Sequence, residues 1–324
     1  MSDDSPWSFP PDLQPDADEL AFDLTDALDA VVALRADIPE DAFTAPMLGT
    51  ERTGNGVVIN DDGLVLTIGY LITEAQSVWL TTGNGSAVSG HPLAYDQSTG
   101  FGIIQPLGRL DARPMARGIS ASVNVGDDVI VIGAGGKQHA MKAIVIAKRE
   151  FAGYWEYVLD EALFTAPLHP AWSGAALVNS RGELIGIGSL FVQDVMEGKS
   201  VQGNMFVPVE LLEPILQSLL TTGRSGRPPH AWLGLYAIAT DKGITVSGLV
   251  KDGPAYKAGI RLGDIVVAAA GRPVNELGEL FRHVWQQGPA GTEIPLRVSH
   301  EGKVSDVRVH SADRSDFLKK PLLQ

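Results

Sequence analysis

The sequence contains no cysteine, which excludes disulfide bonds and thiolate chemistry and leaves the redox compartment open. No apolar run approaches the ~20 residues that a membrane helix needs, so we expect no transmembrane span. Basic residues are few, and the net charge of −14 argues against a nucleic-acid partner, because phosphate binding needs a basic surface. Histidines and carboxylates show no ligand spacing, so we predict no metal and no cofactor.

The start of the chain lacks the basic residues and apolar core of a signal peptide. This absence predicts a cytoplasmic protein, or a periplasmic one if the true start lies elsewhere. Residues 1–17 are acidic and rich in proline, so we expect a tail that is disordered or only loosely docked. From Asp18 to Ala36 the apolar residues follow mostly helical spacing, which predicts a helix.

A stretch near the middle of the chain combines β-prone runs with one serine in a turn. Tyr157–Thr165 is apolar and β-prone, two prolines interrupt it, and Ala175–Val178 resumes the apolar pattern. Ser173 lies between these runs. The pattern predicts a strand, an exposed turn that carries the serine, and a second strand.

This turn carries a family resemblance. Residues 169–179 read His-Pro-Ala-Trp-Ser-Gly-Ala-Ala-Leu-Val-Asn, and residues 182–187 read Gly-Glu-Leu-Ile-Gly-Ile. The segment resembles the nucleophile loop of the HtrA/DegP-type serine proteases, which are trypsin-like double β-barrels followed by PDZ domains. The resemblance implies a mainly β protein of that architecture, with Ser173 at the nucleophile position. It places Ala171, where the family has glycine, at an oxyanion-hole position.

The other two triad positions carry different residues. The segment 54–67 resembles the strands that deliver the catalytic histidine, and the alignment places Tyr70 at that position. The segment 96–104 resembles the one that supplies the aspartate, and Gly100 stands there. A tyrosine with a pKa of ~10 is protonated at pH 7 and accepts a serine proton poorly.

We therefore predict a catalytically impaired homologue, a pseudoprotease in which Ser173 is a vestigial nucleophile. Its function would be that of a peptide-binding scaffold or chaperone-like adaptor. The alternative is an active endopeptidase that cleaves unfolded proteins with a relocated base. The candidate bases are His91, His139, His169, Lys137, Lys142 and Lys148.

A glycine-rich segment at Gly133–Gly136 invites comparison with a phosphate-binding loop. No Gly-Lys-Ser or Gly-Lys-Thr follows it, and no helix is predicted to open from it. We expect a turn at the end of a strand.

The segment 252–267 follows the bacterial PDZ pattern nearly letter for letter. The resemblance implies a peptide groove between a strand and the helix at 276–286, with free C-termini or extended segments of proteins as partners. The alternative is a PDZ domain that docks onto its own barrel domain and binds nothing external. The residues expected at the carboxylate-binding loop and the apolar pocket are Trp232, Leu233, Gly234, Leu235, Phe281, Val284 and Trp285.

These motifs divide the chain into a series of domains. The predicted parts are a tail at 1–17, a helix with the first barrel at 18–115, the second barrel at 116–220, a linker at 221–230, a PDZ domain at 231–312 and a tail at 313–324. In the related proteases an aromatic N-terminal segment packs the trimer. Trp7, Phe9 and Phe22 could therefore serve a homotrimer, and a purely structural oligomer is a third hypothesis.

Overall fold

The structure, a computed structural model, describes residues 7–196 and 199–319. The chain forms two compact units. The first comprises the chain up to Arg149, residues 161–226 and Lys319, and the second comprises residues 150–160 and 227–318. The ends of the two predicted tails, residues 1–6 and 320–324, lie outside the described residues.

The first unit begins with a closed antiparallel barrel whose strand order is β1-β2-β3-β6-β5-β4. Valine, isoleucine and leucine side chains fill its interior, as expected for strands with one face turned to a core. The strands are β1 Val31–Asp37, β2 Glu51–Val58, β3 Val65–Ile68, β4 Ser77–Thr81, β5 Ala87–Tyr95 and β6 Phe101–Pro106. The helices near these strands are α1 Leu24–Asp29 and α2 Ala45–Leu48.

Of the helix predicted from Asp18 to Ala36, only Leu24–Asp29 is α-helical, and the second half is a strand. The helix α1 ends at Asp29, and β1 begins at Val31. β1 pairs with β2 along its whole length and with β4 from Ala33 to Asp37, so the two neighbouring strands supply its backbone hydrogen bonds. This barrel pairing overrode a helical spacing that was only approximate.

The second barrel completes the first unit, with strand order β10-β11-β12-β9-β8-β7. Its strands are β7 Asp128–Ile132, β8 Ala140–Gly153, β9 Tyr157–Ala166, β10 Ala176–Val178, β11 Leu184–Met196 and β12 Lys199–Pro208. The helix α3, Glu213–Thr222, follows the barrel and ends at Gly223.

The N-terminal segment packs against this barrel, whereas the sequence predicted at most a loose tail. Phe9 is buried within the second barrel's core, and its backbone N–H donates to the Gln138 carbonyl at 3.0 Å. Trp7 stacks on His139 with a centroid separation of 4.4 Å. These aromatic contacts lie within one chain, and the predicted homotrimer stays a prediction.

The second unit contains a sheet with the order β13-β14-β15-β17-β18, and β16 pairs with β15. Its strands are β13 Leu235–Thr240, β14 Gly243–Leu249, β15 Ile265–Ala269, β16 Arg272–Pro273, β17 Glu293–His300 and β18 Lys303–His310. Its helices are α4 Pro254–Lys257 and α5 Leu277–Trp285. No helix in the described part of the chain is long and apolar enough to cross a membrane.

Candidate functional site

The loop between β9 and β10 holds Ser173 against the first barrel. Asn55, on β2, donates its backbone N–H to the Ser173 carbonyl at 2.8 Å and its side-chain amide to the carbonyls of Ala171 and Ser173 at 2.8 and 2.9 Å. Gly174 has φ +74°, and a Cβ there would lie 1.9 Å from the Asn55 carbonyl oxygen. Only glycine permits both the left-handed turn and this close approach.

The structure brings Tyr70 and Ser173 together. The Tyr70 hydroxyl oxygen lies 2.8 Å from Ser173 Oγ and 2.8 Å from the Ser189 carbonyl oxygen. A carbonyl can only accept, so when the single phenolic hydrogen points to Ser189 the serine hydroxyl donates to the phenol oxygen. Burial raises the pKa of Tyr70 to about 12, although hydrogen bonds with Ser173 and Trp172 oppose this shift.

Gly100, at the aspartate position, serves a tight turn before β6. It has φ +81°, its carbonyl accepts from Gly69 N–H at 2.7 Å, and its N–H donates to the Asp96 carbonyl at 2.8 Å. The Asp96 carboxylate accepts from the backbone and hydroxyl of Thr99, both at 2.8 Å. The backbone at this position therefore suits glycine, and the nearby carboxylate is engaged inside its own turn.

His169 is fully buried, and both of its ring nitrogens are hydrogen-bonded to backbone groups other than those of Ser173. Its Nε2 lies 3.0 Å from the His139 carbonyl, so this nitrogen carries the hydrogen, and Nδ1 accepts from the Ala171 N–H at 3.1 Å. Burial lowers the pKa of His169 to about 4, which keeps the ring neutral. The Ala171 N–H, one of the predicted oxyanion-hole donors, is therefore bonded to His169.

Two of the other candidate bases, His139 and Lys148, also have partners elsewhere. Both ring nitrogens of His139 lie 2.7 Å from carbonyl oxygens, those of Ala134 and Trp7. Lys148 Nζ donates to the carbonyls of Ser120 and Val123, each at 3.2 Å. Neither side chain has a hydrogen bond to Ser173 among these contacts.

The glycine-rich segment at Gly133–Gly136 is the predicted turn at the end of β7. The Ala134 N–H donates to Asn55 Oδ1 at 2.8 Å, and a Cβ at Gly135 would lie 2.0 Å from the His139 ring. Across residues 7–196 and 199–319, no group of three or more His, Cys, Asp or Glu side chains could hold a metal ion.

In the second unit, the predicted carboxylate-binding loop faces a carboxylate of the chain itself. The N–H groups of Leu233, Gly234 and Leu235 all donate to Glu156, with shortest distances of 2.9, 2.7 and 3.2 Å. Glu156 lies in the tight turn between β8 and β9 and is 4% exposed. The sequence did not predict this role of Glu156. The apolar residues of β8 and β9 indicate a hairpin, but they carry no information about what the hairpin turn contacts.

The remaining predicted groove residues belong mainly to the core. Trp232 is buried, exchanges backbone hydrogen bonds with Ala312 at 3.1 and 3.0 Å, and does not join the three donors. Phe281 and Val284 are fully buried in the core of the second unit, and Trp285 packs against that core while half-buried. These side chains therefore stabilise α5 beneath the groove.

Comparison with known proteins agrees with both units. A family model described as "Trypsin-like peptidase domain" matches residues 54–187, and one described as "PDZ domain" matches residues 231–310. The chain thus consists of a trypsin-like peptidase domain followed by a PDZ domain, and the predicted mainly β class is confirmed. HtrA- and DegP-type proteases are among the proteins that the chain resembles.

Two relatives are named as proteases of the HtrA or DegP type. The chain is 26% identical over 288 residues to "Serine protease Do-like HtrA" of Lactobacillus helveticus, covering 81% of this chain and 69% of that protein. It is 27% identical over 269 residues to "Probable periplasmic serine endoprotease DegP-like" of Pseudomonas savastanoi, covering 78% and 54%. This chain therefore spans between about half and 69% of the length of these two relatives.

A solved structure shares the fold. The one titled "HtrA-type protease AlgW with decapeptide" matches with a TM-score of 0.55 at 21% identity, covering 92% of this chain and 98% of that one.

Proposed function

We propose that this protein is a peptide-binding scaffold, built on an HtrA-like framework, whose peptidase domain does not hydrolyse peptides. The carrying observation is Tyr70, which occupies the position next to Ser173 where a general base is required. A phenol with a pKa near 12 stays protonated at neutral pH and cannot take the serine proton. Losing members of the catalytic triad typically lowers the catalytic rate by a factor of ~10⁴ to 10⁶.

Two further features support this proposal. Ala171 N–H donates to His169, so one donor of the oxyanion hole is already bonded. Gly100 replaces the carboxylate that would orient a histidine, so a base introduced at position 70 would lack that support.

Peptide binding is assigned to the second unit. Three successive backbone N–H groups at 233–235 point to one carboxylate, which is the arrangement that captures a C-terminal carboxylate. The solved HtrA-type structure that carries a decapeptide is consistent with this assignment.

The proposal is tested by exposing the protein to a fluorophosphonate probe and to unfolded casein beside its Ser173→Ala variant. We expect the wild type to show no more probe labelling and no more casein cleavage than Ser173→Ala, because no base activates the Ser173 hydroxyl. An active HtrA-type relative serves as the positive control for both assays.

The second candidate function is an endopeptidase, which the retained Ser173 hydroxyl favours. Labelling and casein cleavage that disappear in Ser173→Ala would establish it and overturn the scaffold proposal. In that case Tyr70→Phe would show whether the phenol takes part, since this variant keeps the ring and removes only the hydroxyl.

A further inference from the structure

The turn between β8 and β9 lies in the second unit and presents its carboxylate as a C-terminus would. The tip of this hairpin is residues 150–160. Glu156 Oε1 accepts from Gly234 N–H at 2.7 Å, and Oε2 accepts from Leu233 N–H at 2.9 Å. Any external carboxylate that uses this loop needs the same N–H groups, so it and Glu156 exclude one another.

The backbone of the turn imitates a ligand as well. The Tyr154 carbonyl, two residues before Glu156, accepts the Ala237 N–H at 3.1 Å. Ala237 lies on β13, which pairs with β14 and stands at one edge of the sheet. A segment that bonds to the N–H groups of a sheet edge and ends in a carboxylate at the loop follows the mode in which extended peptides add a strand.

Two charged contacts hold the hairpin tip against α5. Arg282 donates to Glu150 at 2.7 Å and to Asp160 at 2.6 Å. Val158 packs on the core of the second unit, and the Tyr154 and Tyr236 rings meet at 5.9 Å. The ion pairs are partly exposed and therefore weak, so they can be broken when the tip leaves.

The backbone at Glu156 is unusual for its residue type. Its φ of +61° lies in the left-handed region, which the last position of a three-residue hairpin turn requires and which glycine or asparagine fills more easily. Glu301 provides a contrast in the same unit, because it also has a left-handed φ, +48°, in a hairpin turn but is exposed. Burial of a carboxylate on three donors distinguishes Glu156.

We propose that Glu156 is an internal ligand of the carboxylate-binding loop, and that the extended C-terminus of a partner protein must displace it to bind. This inference rests on the proposed peptide-binding function and adds its regulation. In the docked state the loop is closed to other C-termini, and any change that releases the 150–160 hairpin tip opens it.

The test compares the full-length protein with Glu156→Gln and Glu156→Gly, and with Glu301→Gln and Glu301→Gly as matched controls. Glycine suits the left-handed backbone and removes the carboxylate, whereas glutamine keeps the shape. The probe is a pool of fluorescein-labelled octapeptides with a free C-terminal valine. The same pool with an amidated C-terminus reports whether the carboxylate is needed.

We expect both Glu156 variants to bind the free-carboxylate pool at least tenfold more tightly than the wild type, and both Glu301 variants to match the wild type. Circular dichroism confirms that each variant is folded. Hydrogen exchange of the 233–235 amides without peptide gives an independent measurement, and it should be at least tenfold faster in Glu156→Gly than in Glu301→Gly.

The two proposals fail in different ways. Equal binding by the wild type and the Glu156 variants, or unchanged exchange at 233–235, would overturn the internal ligand while peptide binding stands. Fast exchange in the Glu156 variants with no peptide bound by any protein would overturn peptide binding and make Glu156 a structural tie, which overturns the internal ligand as well.

Discussion

Replacing Arg52 with leucine is expected to lower the free energy of unfolding of the first unit by about 3–5 kcal/mol. Arg52 is only 4% exposed, and it donates to the carbonyls of Tyr70 and Thr73 at 2.6 and 3.1 Å and to Thr44 Oγ1 at 2.8 Å. Burial lowers its pKa to about 10, so the guanidinium stays charged at neutral pH. Leucine would leave these carbonyls without donors in a buried site.

The loss would also reach Glu74, the buried acid whose charge interacts with Arg52. The Glu74 carboxylate accepts from the backbone of Phe43, Thr44 and Lys319 at 2.9, 2.7 and 2.8 Å. Arg52→Leu therefore also removes a positive charge that acts on a buried carboxylate, and a buried charge that loses its counter-charge destabilises the fold.

The matched control is Arg35→Leu, which removes an arginine of the adjacent strand. The Arg35 side chain is 56% exposed and pairs with Asp37 and Glu51 at 3.5 and 3.4 Å. An exposed pair contributes ~0–1 kcal/mol, so we expect a change of no more than that. Hydrogen exchange of the β1 and β2 amides measures both variants, and similar exchange in the two would contradict a structural role for the buried arginine.

The stability of the second unit is expected to fall as the pH rises from about 4.5 to about 7. Burial raises the pKa of Glu156 to about 7 from an ordinary value of 4.5, and the N–H groups of Leu233, Leu235 and Gly234 oppose this shift. Between these values the unfolded chain loses its proton first, while the folded chain keeps it. The folded state binds this proton more tightly than the unfolded state. The free energy of unfolding therefore declines as the pH rises through this window, and it levels off above it.

The expected decline is about 3 kcal/mol in total, which is the shift from 4.5 to about 7 expressed as free energy. Two other ionisable side chains act on this site: Arg314, whose charge lowers the pKa of Glu156, and Tyr236, whose pKa is raised by burial from an ordinary value of 10.0 that already lies above this window. Glu156 is therefore the group of this site that titrates between these pH values.

The measurement is hydrogen exchange of β14 and β17 amides between pH 5 and pH 8, corrected for the intrinsic exchange rate. The difference between the wild type and Glu156→Gln should change by about 2.5 kcal/mol between pH 5 and pH 8, because part of the total decline falls below pH 5. Glu301→Gln should follow the wild type. Parallel profiles for the wild type and Glu156→Gln would show that Glu156 keeps an ordinary pKa when folded.

Several local patterns predicted the structure well. The prolines and the β-prone runs around Ser173 predicted a strand, a turn and a strand, and β9 and β10 flank that loop. The glycine-rich segment at Gly133–Gly136 predicted a turn at the end of a strand, and it follows β7. These predictions depended on turn chemistry and side-chain alternation, which act over a few residues.

Other features were wrong or invisible from the sequence. Val31–Asp37 reads as helical on spacing and is a strand, because β2 and β4 supply its hydrogen bonds. Phe9 lies in an acidic segment that predicts a loose tail, yet it enters the core of the second barrel. Each outcome depends on a partner far along the chain, and a local pattern carries no information about that partner.

The sequence by itself determined which chemical groups stand at each motif, including a phenol at position 70 and no side chain at position 100. To a first approximation, the residue type alone sets the pKa of the phenol, and it leaves position 100 without an ionisable group. Only the tertiary structure decided that Glu156 meets the N–H groups of a loop 77 residues away, and that His169 accepts the Ala171 N–H. The physical reason is that burial and hydrogen bonding are set by whatever the fold brings together, and for Glu156 that partner lies outside its own turn.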